Sequence, residues 1–574
     1  MDVYRLREKL HDDLLEDLLM ARAISPQDAG LFLEPDYAAQ SHDPFLLPDM
    51  QKAVDRILLA LKNNEKVSVW SDYDCDGIPG GVMLSDFLRT VGLEVRHYIP
   101  HRHKEGYGLN KEGIDELAAE GVTLVVTIDL GTTEGENVTY AKTKGIDIII
   151  TDHHLVQLPA EELSSRSPST EDGIGVRVQK VLPPAVAVIN PKRPDSKYPF
   201  DGLCGAGVAW KLVQAILIKN RPADFNEGQE KWYLDLVGIA TLSDMVPLVD
   251  ENRMLAHFGL KVLRRARRPG LAALLQMLKI KPATLTEDDI GFMISPRINA
   301  ASRMDNPAIA AKMLAATEKE EGAELARQLN KINDERKTLV AGIVKEANKR
   351  LNVSELSESP LIVMGSPSWR PGVLGLVASK LVESHKKTVF LWGREGGEVL
   401  RGSCRSSGHV NVVELMQGAG DAFDHFGGHH ASGGFSVSEE KIHELAARLR
   451  EAYEAAGNKE MPEEEILVER SIDLAEVSFA LKQLDKLAPF GVGNQKPLFI
   501  FPGVTIASGK VFGKTANHLE LSLAKGNARV AGIAFFTTGE NFTKKVEMGN
   551  KADIVGHIER DWRGGPRIRI VDVI

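Results

Sequence analysis

The sequence predicts a multidomain α/β protein: two α/β domains joined by a long helix, followed by a small β-barrel. Three observations carry this. Short apolar runs alternate with helical stretches from Val67 to about Pro194. A second strand–helix alternation begins at Pro360-Leu-Ile-Val-Met364 and runs to about 455. The last hundred residues hold short alternating strands with Gly/Asn turns.

At 574 residues the chain is too long for one core. Hydrophobic content of 43% and charged content of 26% are ordinary for a soluble globular protein. No run approaches the roughly 18 apolar residues of a membrane span, and Met1-Asp-Val-Tyr-Arg5 carries no signal-peptide pattern. Cys75, Cys204 and Cys404 form neither a CxxC pair nor a disulfide framework. The expected compartment is a reducing cytoplasm, with no membrane partner. The net charge of −10 decides little, since phosphate binding depends on where Lys and Arg sit.

Residues 1 to about 45 read as a helical lead-in and a Pro-containing connector, Leu33-Glu-Pro-Asp36 and His42-Asp-Pro44. A helix is expected from Met50 to Lys62, with Ala53, Ile57, Leu58 and Leu61 at helical spacing. Buried strands follow at Val67–Trp70, Thr123–Ile128 and Ile146–Ile150, separated by helices near 80–91, 111–119 and 134–143. This order predicts a right-handed parallel sheet whose site lies beyond the carboxyl ends of its strands. Ser/Glu-rich text at 159–180 reads as a surface loop. Residues 205–350 are mainly helical, ending in a long polar helix around 318–351. Barrel strands are expected at Leu498–Phe501, Leu519–Leu523, Ala528–Phe535 and Arg567–Val571.

Four acid-bearing segments stand out: Asp72-Tyr-Asp74-Cys-Asp76-Gly77, Thr127-Ile-Asp129-Leu-Gly131, Asp152-His153-His154 and Ser243-Asp244. The first three sit directly behind the predicted strands, so their side chains converge on one sheet edge. Such a cluster requires divalent metal to stay charged. If the strand continued, alternation would place Asp72, Asp74 and Asp76 on one side. The first segment is not a calcium loop, because the twelfth position from Asp72 is Met83. A carboxylate beside two imidazoles suits Mn²⁺. Adjacent histidines on an extended chain face opposite ways, which predicts one direct ligand and one orienting residue. The run Arg264-Arg-Ala-Arg-Arg268 reads equally as a DNA contact or as a complement to a helix C-terminus.

In this order, the four segments resemble those of the DHH phosphoesterase superfamily. Pro100-His-Arg102, Gly106-Tyr-Gly-Leu109, Pro296-Arg297 through Arg303-Met-Asp305, Trp369-Arg-Pro-Gly-Val-Leu-Gly375, Gly402-Ser-Cys-Arg405, Gly427-Gly-His429-His and Ala488-Pro-Phe-Gly-Val-Gly-Asn494 extend the resemblance to its single-strand-specific DNA exonucleases. The resemblance implies a DHH catalytic domain over 46–325, a connecting helix over 326–355, a DHHA1-type α/β domain over 356–457 and an OB-like nucleic-acid-binding domain over 458–574, after the lead-in of 1–45. It implies two divalent ions, Mn²⁺ or Mg²⁺, held by Asp74, Asp76, Asp129, His153 and Asp244, with Asp72 and His154 participating. His429 would contact the scissile phosphate; Arg102, Ser403 and Arg405 the 5′-terminal phosphate; Arg297 and Arg303 the backbone.

The implied activity is 5′→3′ hydrolysis of single-stranded DNA to mononucleotides in repair and recombination. The implied partners are a single-strand-binding protein, a helicase and other repair factors around a monomer. Two alternatives remain: a phosphodiesterase of short oligonucleotides or cyclic dinucleotides, and an inactive DNA-binding scaffold. Phe512, Phe535 and Trp562 are barrel core or stacking platforms, with core the simpler reading for each. Trp70, Leu130, Ser302, Arg370-Pro371 and Ile78-Pro-Gly-Gly81 depart from the superfamily's usual residues, Trp70 standing where related sites can place a histidine.

Overall fold

The computed structural model describes residues 3–102, 104–156, 182–352, 359–394, 399–457, 465–513, 516–561 and 563–574. The stretch expected to be a loop at 159–180 lies outside them, as do Trp562 and most of the polar connector after 457. No helix among the described residues is long and apolar enough to cross a membrane. Compactness divides the chain into two units, one of residues 42–244 and 258–461, the other of 1–41, 245–257 and 462–574.

The larger unit begins with a five-stranded, all-parallel sheet. In chain order its elements are β1 (Lys66–Ser71), α1 (Gly77–Thr90), β2 (Glu94–Tyr98), α2 (Lys111–Ala119), β3 (Val122–Ile128), α3 (Gly135–Thr143), β4 (Asp147–Thr151) and β5 (Ala187–Ile189). Strand order is β2-β1-β3-β4-β5. The central strands are apolar on both faces because helices cover both, which is why they read as runs rather than alternations. Helices α4 (Gly205–Lys219) and α5 (Leu234–Ser243) follow, both mostly buried. Then come α6 (Ser295–Met304), entered through a single π-helical stretch at Ile290–Ile294, and the 33-residue α7 (Lys319–Leu351).

Trp70 is fully buried in the cluster with Tyr98, Ile114 and Leu117, its ring 4.2 Å from that of Tyr98. It fills core rather than replacing a metal ligand.

The second sheet comprises β6 (Leu361–Ser366), β7 (Thr388–Gly393), β8 (Leu400–Arg405), β9 (His425–His429) and β10 (Ser432–Val437), in the order β9-β10-β8-β7-β6. Only β6 and β7 run parallel. Helix α8 (Pro371–His385) packs against it and contributes Val373, Leu374, Val377 and Leu381 to a core shared with α7.

The smaller unit is a closed barrel of β11 (Phe499–Phe512), β12 (His518–Lys525), β13 (Ala528–Ala534), β14 (Lys551–Arg560) and β15 (Pro566–Val573). β11 pairs with both β12 and β14, and a β-bulge between Ile506 and Ser508 bends it enough to do so. The lead-in belongs here: Leu14, Leu15, Leu18 and Leu19 share a core with the helix Val477–Leu487 and the barrel's Phe499, Phe501, Ile554 and Ile568. Tyr4–Leu6 also pairs in parallel with Ile466–Val468.

Phe512 and Phe535, the two described candidates for stacking, are not in that core. Phe535 is exposed and Phe512 half-buried, and both pack on His518. Phe536, 79% exposed with φ of 58°, donates its backbone N–H to His518 Nδ1.

Candidate metal centre

The first acidic segment reaches the sheet edge as a turn, not as a continued strand. β1 ends at Ser71, and Asp74 Oδ1 accepts the backbone N–H groups of Asp76 (2.8 Å) and Gly77 (3.0 Å). The turn is so tight that a Cβ on Gly77 would stand 2.5 Å from Asp72 O. Its carboxylates therefore separate: Asp72 and Asp74 meet Asp129, while Asp76 meets His153 and Asp244. Both oxygens of Asp76 accept N–H groups at the start of α4, from Gly205 (2.6 Å) and Ala206 (2.8 Å). The partial positive charge of a helix N-terminus suits a buried carboxylate there.

Asp129 leaves the end of β3 in a left-handed conformation, φ 63°, and lies at the focus. Its Oδ1 is 3.1 Å from His153 Nε2 and 3.9 Å from His154 Nδ1. His153 Nε2 is also 3.7 Å from Asp76 and from Asp244. The two histidines do not face opposite ways. The chain has left β4 at Thr151, and their rings sit 4.9 Å apart on the same side. Asp152 is the orienting residue: Oδ1 accepts from the backbone of His153 and contacts His154 Nδ1 at 2.7 Å, and Oδ2 accepts from Thr132 N.

The electrostatics agree with this division. Burial, then the charge of Asp74, pushes Asp76 up to about 7. Burial and the charges of Asp76 and Asp74 take Asp244 to about 8. Asp72 and Asp129 are raised well above the carboxylate range by burial and by their acidic neighbours. Burial lowers His153 to about 3, leaving a neutral imidazole. Burial opposes the charge on His154, but Asp152 outweighs it and raises the pKa. Asp72 Oδ1 and Asp129 Oδ1 are buried without a hydrogen-bond partner. Carboxylates that cannot ionise together, orphaned oxygens and a neutral imidazole are the donor set of divalent first-row metal ions. The residues present fit one ion or two.

Guanidinium groups flank this acid. Arg102 lies over the Tyr73 ring at 5.0 Å. Arg303, at the end of α6, is drawn down to about 10 by burial and then by Arg102, Arg336 and Arg405, with Asp74 the favourable charge. Arg405 and Ser403 lie on β8, and Arg405 Nη1 donates to Cys404 O.

Three family models match the chain: the DHH family N-terminal domain over 66–241, the DHHA1 domain over 358–455 and the RecJ OB domain over 468–571. The single-stranded-DNA-specific exonuclease RecJ of Bacillus subtilis (strain 168) is 31% identical, covering 99% of this chain and 69% of its own. The chain belongs to the RecJ family. The Salmonella typhimurium RecJ is 29% identical, over 92% of this chain and 90% of its own. The crystal structure of the Thermus thermophilus RecJ in complex with Mn²⁺ matches with a TM-score of 0.77 and 25% identity, covering 100% of this chain and 79% of that one.

In this RecJ-family chain, not every residue singled out in the sequence joins the centre. Arg297 is turned inward: its Nε donates to Asn330 Oδ1 (2.9 Å) and Nη1 to Met293 O (2.6 Å). The first of these bonds ties α6 to α7. His429 lies on the exposed strand β9, outside the three candidate metal groups. In the basic run, Arg264 caps Leu285 O and Arg268 pairs with Asp235, so these two arginines serve the fold.

Two participants carried no role in the sequence reading. Tyr107 donates to Asp129 O at 3.3 Å, and its hydroxyl is raised by burial and by the charges of Asp72 and Asp129. Its glycine-flanked motif was the available signal. Arg336 had none, being one charge among many on a polar helix.

Proposed function

We propose that this chain is a metal-dependent exonuclease that hydrolyses phosphodiester bonds of single-stranded DNA from the 5′ end, releasing mononucleotides. Two divalent ions, Mn²⁺ or Mg²⁺, are held by Asp74, Asp76, Asp129, His153 and Asp244, with Asp72 beside them. When bound, they activate water and stabilise charge on the oxygens of an in-line displacement at phosphorus. Asp129 belongs to two of the three candidate ligand groups and would serve either ion, and its orphaned, buried Oδ1 at the focus of both histidines is the observation that carries this reading.

The protein's own groups do the rest. Asp76, fixed by the N-terminus of α4, and Asp152, fixed by Thr132, hold the ligand set in place. With Nδ1 committed to Asp152, His154 has Nε2 left to meet substrate and a proton affinity suited to serving a phosphate oxygen. Tyr107 donates its hydroxyl to Asp129 O and so steadies the backbone that carries this ligand. Arg102, Ser403 and Arg405 hold the 5′-terminal phosphate, arginine suiting this through its planar fork. Arg303 takes a backbone phosphate, and His429 contacts the scissile phosphate.

The match to the RecJ OB domain and the intact ligand set favour this over a small phosphodiesterase or an inactive scaffold. As part of the same proposal, the chain works as a monomer in the cytoplasm beside a single-strand-binding protein and a helicase. Its three buried free thiols accord with a reducing compartment.

The test is Mn²⁺-dependent digestion of single-stranded DNA labelled separately at the 5′ and 3′ ends, with a chelated control. Immediate release of 5′-labelled mononucleotide, lost on chelation, is expected. Release from the 3′ label first would reverse the polarity, and no release from either end would defeat the proposal.

A further inference from the structure

The arginine cluster has one member that these roles leave unused. Arg336 lies midway along α7, which packs against α6. Its Nε is buried without a hydrogen-bond partner. Burial lowers its pKa, and among the described residues no carboxylate offsets that.

Two further polar side chains on the packed helices α6 and α7 are also unmet. Three residues earlier on α7, Asn333 is fully buried with neither amide atom hydrogen-bonded. On α6, Asn299 Oδ1 is buried without a partner. The charge of Arg336 disfavours those of Arg303, Arg297 and Lys337. A half-buried guanidinium with a spare donor, beside like charges, is costly in the free protein. The cost is relieved by an anion with several acceptor oxygens. A phosphodiester supplies them in the geometry of a guanidinium fork.

We propose that Arg336 binds a backbone phosphate of the substrate strand, next to the one taken by Arg303 and beyond the terminal phosphate held by Arg102 and Arg405. Gripping consecutive phosphates on α6 and α7 sets the register of the strand, so that one bond at a time meets the metal centre. This rests on the reading of the site as a single-strand exonuclease. It makes Arg336 a positioning residue, since it acts on the strand and not on the reacting atoms.

The test measures binding of a 5′-phosphorylated oligothymidylate by fluorescence anisotropy, metal chelated, across a series of salt concentrations. The proteins are wild type, Arg336→Ala, Arg336→Gln and Arg336→Lys. Loss of one phosphate contact on a single strand reduces the slope of log affinity against log salt by about 0.7. Arg336→Ala and Arg336→Gln are expected to show that reduction with about tenfold weaker binding. Arg336→Lys should keep the slope and recover part of the affinity.

A purely structural role would not move the slope. An unchanged slope in a folded Arg336→Gln protein, with affinity within about twofold of wild type, overturns the proposal. The same oligonucleotide is then given Mn²⁺. Wild type that binds but releases no nucleotide counts against the exonuclease reading and leaves the slope result to judge Arg336 separately.

Discussion

Asp129→Asn removes one negative charge from the centre while keeping the shape of the side chain. Asparagine tolerates the left-handed backbone that Asp129 adopts, with φ of 63°. Asp129 Oδ1 itself has no hydrogen bond to lose. In metal-free protein the carboxylate is therefore mostly a liability, facing Asp76, Asp74, Asp72 and Asp244 from a buried position. Ligand atoms within each candidate group lie within 4.8 Å of one another. At an effective dielectric of about 20, two unit charges at that separation repel by roughly 3–4 kcal/mol.

The sign with pH follows from the raised pKa values. Carboxylates raised in the fold keep protons that the unfolded chain releases near pH 4. The metal-free fold therefore loses stability from there upward, until Asp76 at about 7 and Asp244 at about 8 have ionised. Asp129→Asn should thus stabilise the chelated protein by about 2–4 kcal/mol at pH 8. At pH 4, where the unfolded chain has released only about half of that proton, the gain should shrink to about half a kcal/mol.

The assay is urea unfolding in chelator at both pH values, following the transition that Mn²⁺ raises in wild type. Mn²⁺ should no longer raise it in Asp129→Asn, and hydrolysis should fall by about a thousandfold or more. Equal midpoints for variant and wild type at pH 8 would refute the charge argument. A retained Mn²⁺ shift would remove Asp129 from the ligand set.

Gly205→Ala would place a Cβ 2.5 Å from the Cβ of Asp129, so Mn²⁺ affinity and hydrolysis should both collapse in a protein that still folds; a Mn²⁺ titration by electron paramagnetic resonance checks this. Arg405→Ala should cut the preference for 5′-phosphorylated over 5′-hydroxyl ends about tenfold, with less effect on cleavage of bound strand; competition between the two ends measures it, and an unchanged ratio rejects the assignment. Phe536→Ala, at a side chain 79% exposed, should leave the unfolding midpoint unaltered. It should weaken oligothymidylate binding by about 1–3 kcal/mol, the loss of one stacked base, and unchanged binding rules that stacking out.

How much was legible in the sequence depended on whether the signal was local. The strands at 66–71, 122–128 and 147–151 are buried on both faces, so they showed as apolar runs with acids at their ends. The arrangement of those acids was not legible. Alternation assumes a strand, and the strands end at Ser71 and Thr151, before the residues that matter. A side-chain bond from Asp74 to two backbone N–H groups, and another from Asp152 to His154, set the geometry instead.

Long-range pairing was invisible for a different reason. Tyr4–Leu6 pairs with Ile466–Val468, and nothing in either tripeptide names its partner. The strand Lys551–Arg560 was missed because its charges and central Gly556 weaken the β-pattern, although it closes the barrel against β11. Nor does a sequence say which arginine turns inward. Arg297 stood in a motif and Arg336 in none, yet Arg297 is bonded to Asn330 and Met293 while Arg336 has a spare buried donor.

The acid and the arginines are best understood together. Each is unfavourable alone: the carboxylates, buried, resist ionising side by side, and Arg303 is depressed by burial and by three other guanidinium groups. They only partly compensate each other, since Arg102 and His154 favour the charge on Asp72 while Asp74 still opposes it. Cations for the acids and phosphates for the arginines would complete both halves, and a nucleic-acid strand read by divalent metal brings both at once. This explains why a chain with net charge −10 can bind a polyanion: the opposing charges are sorted into adjacent clusters rather than averaged over the surface. It also orders the expected effects. Removing one acid should stabilise the metal-free fold and end catalysis, whereas removing one arginine should weaken the grip on the strand and leave the metal bound.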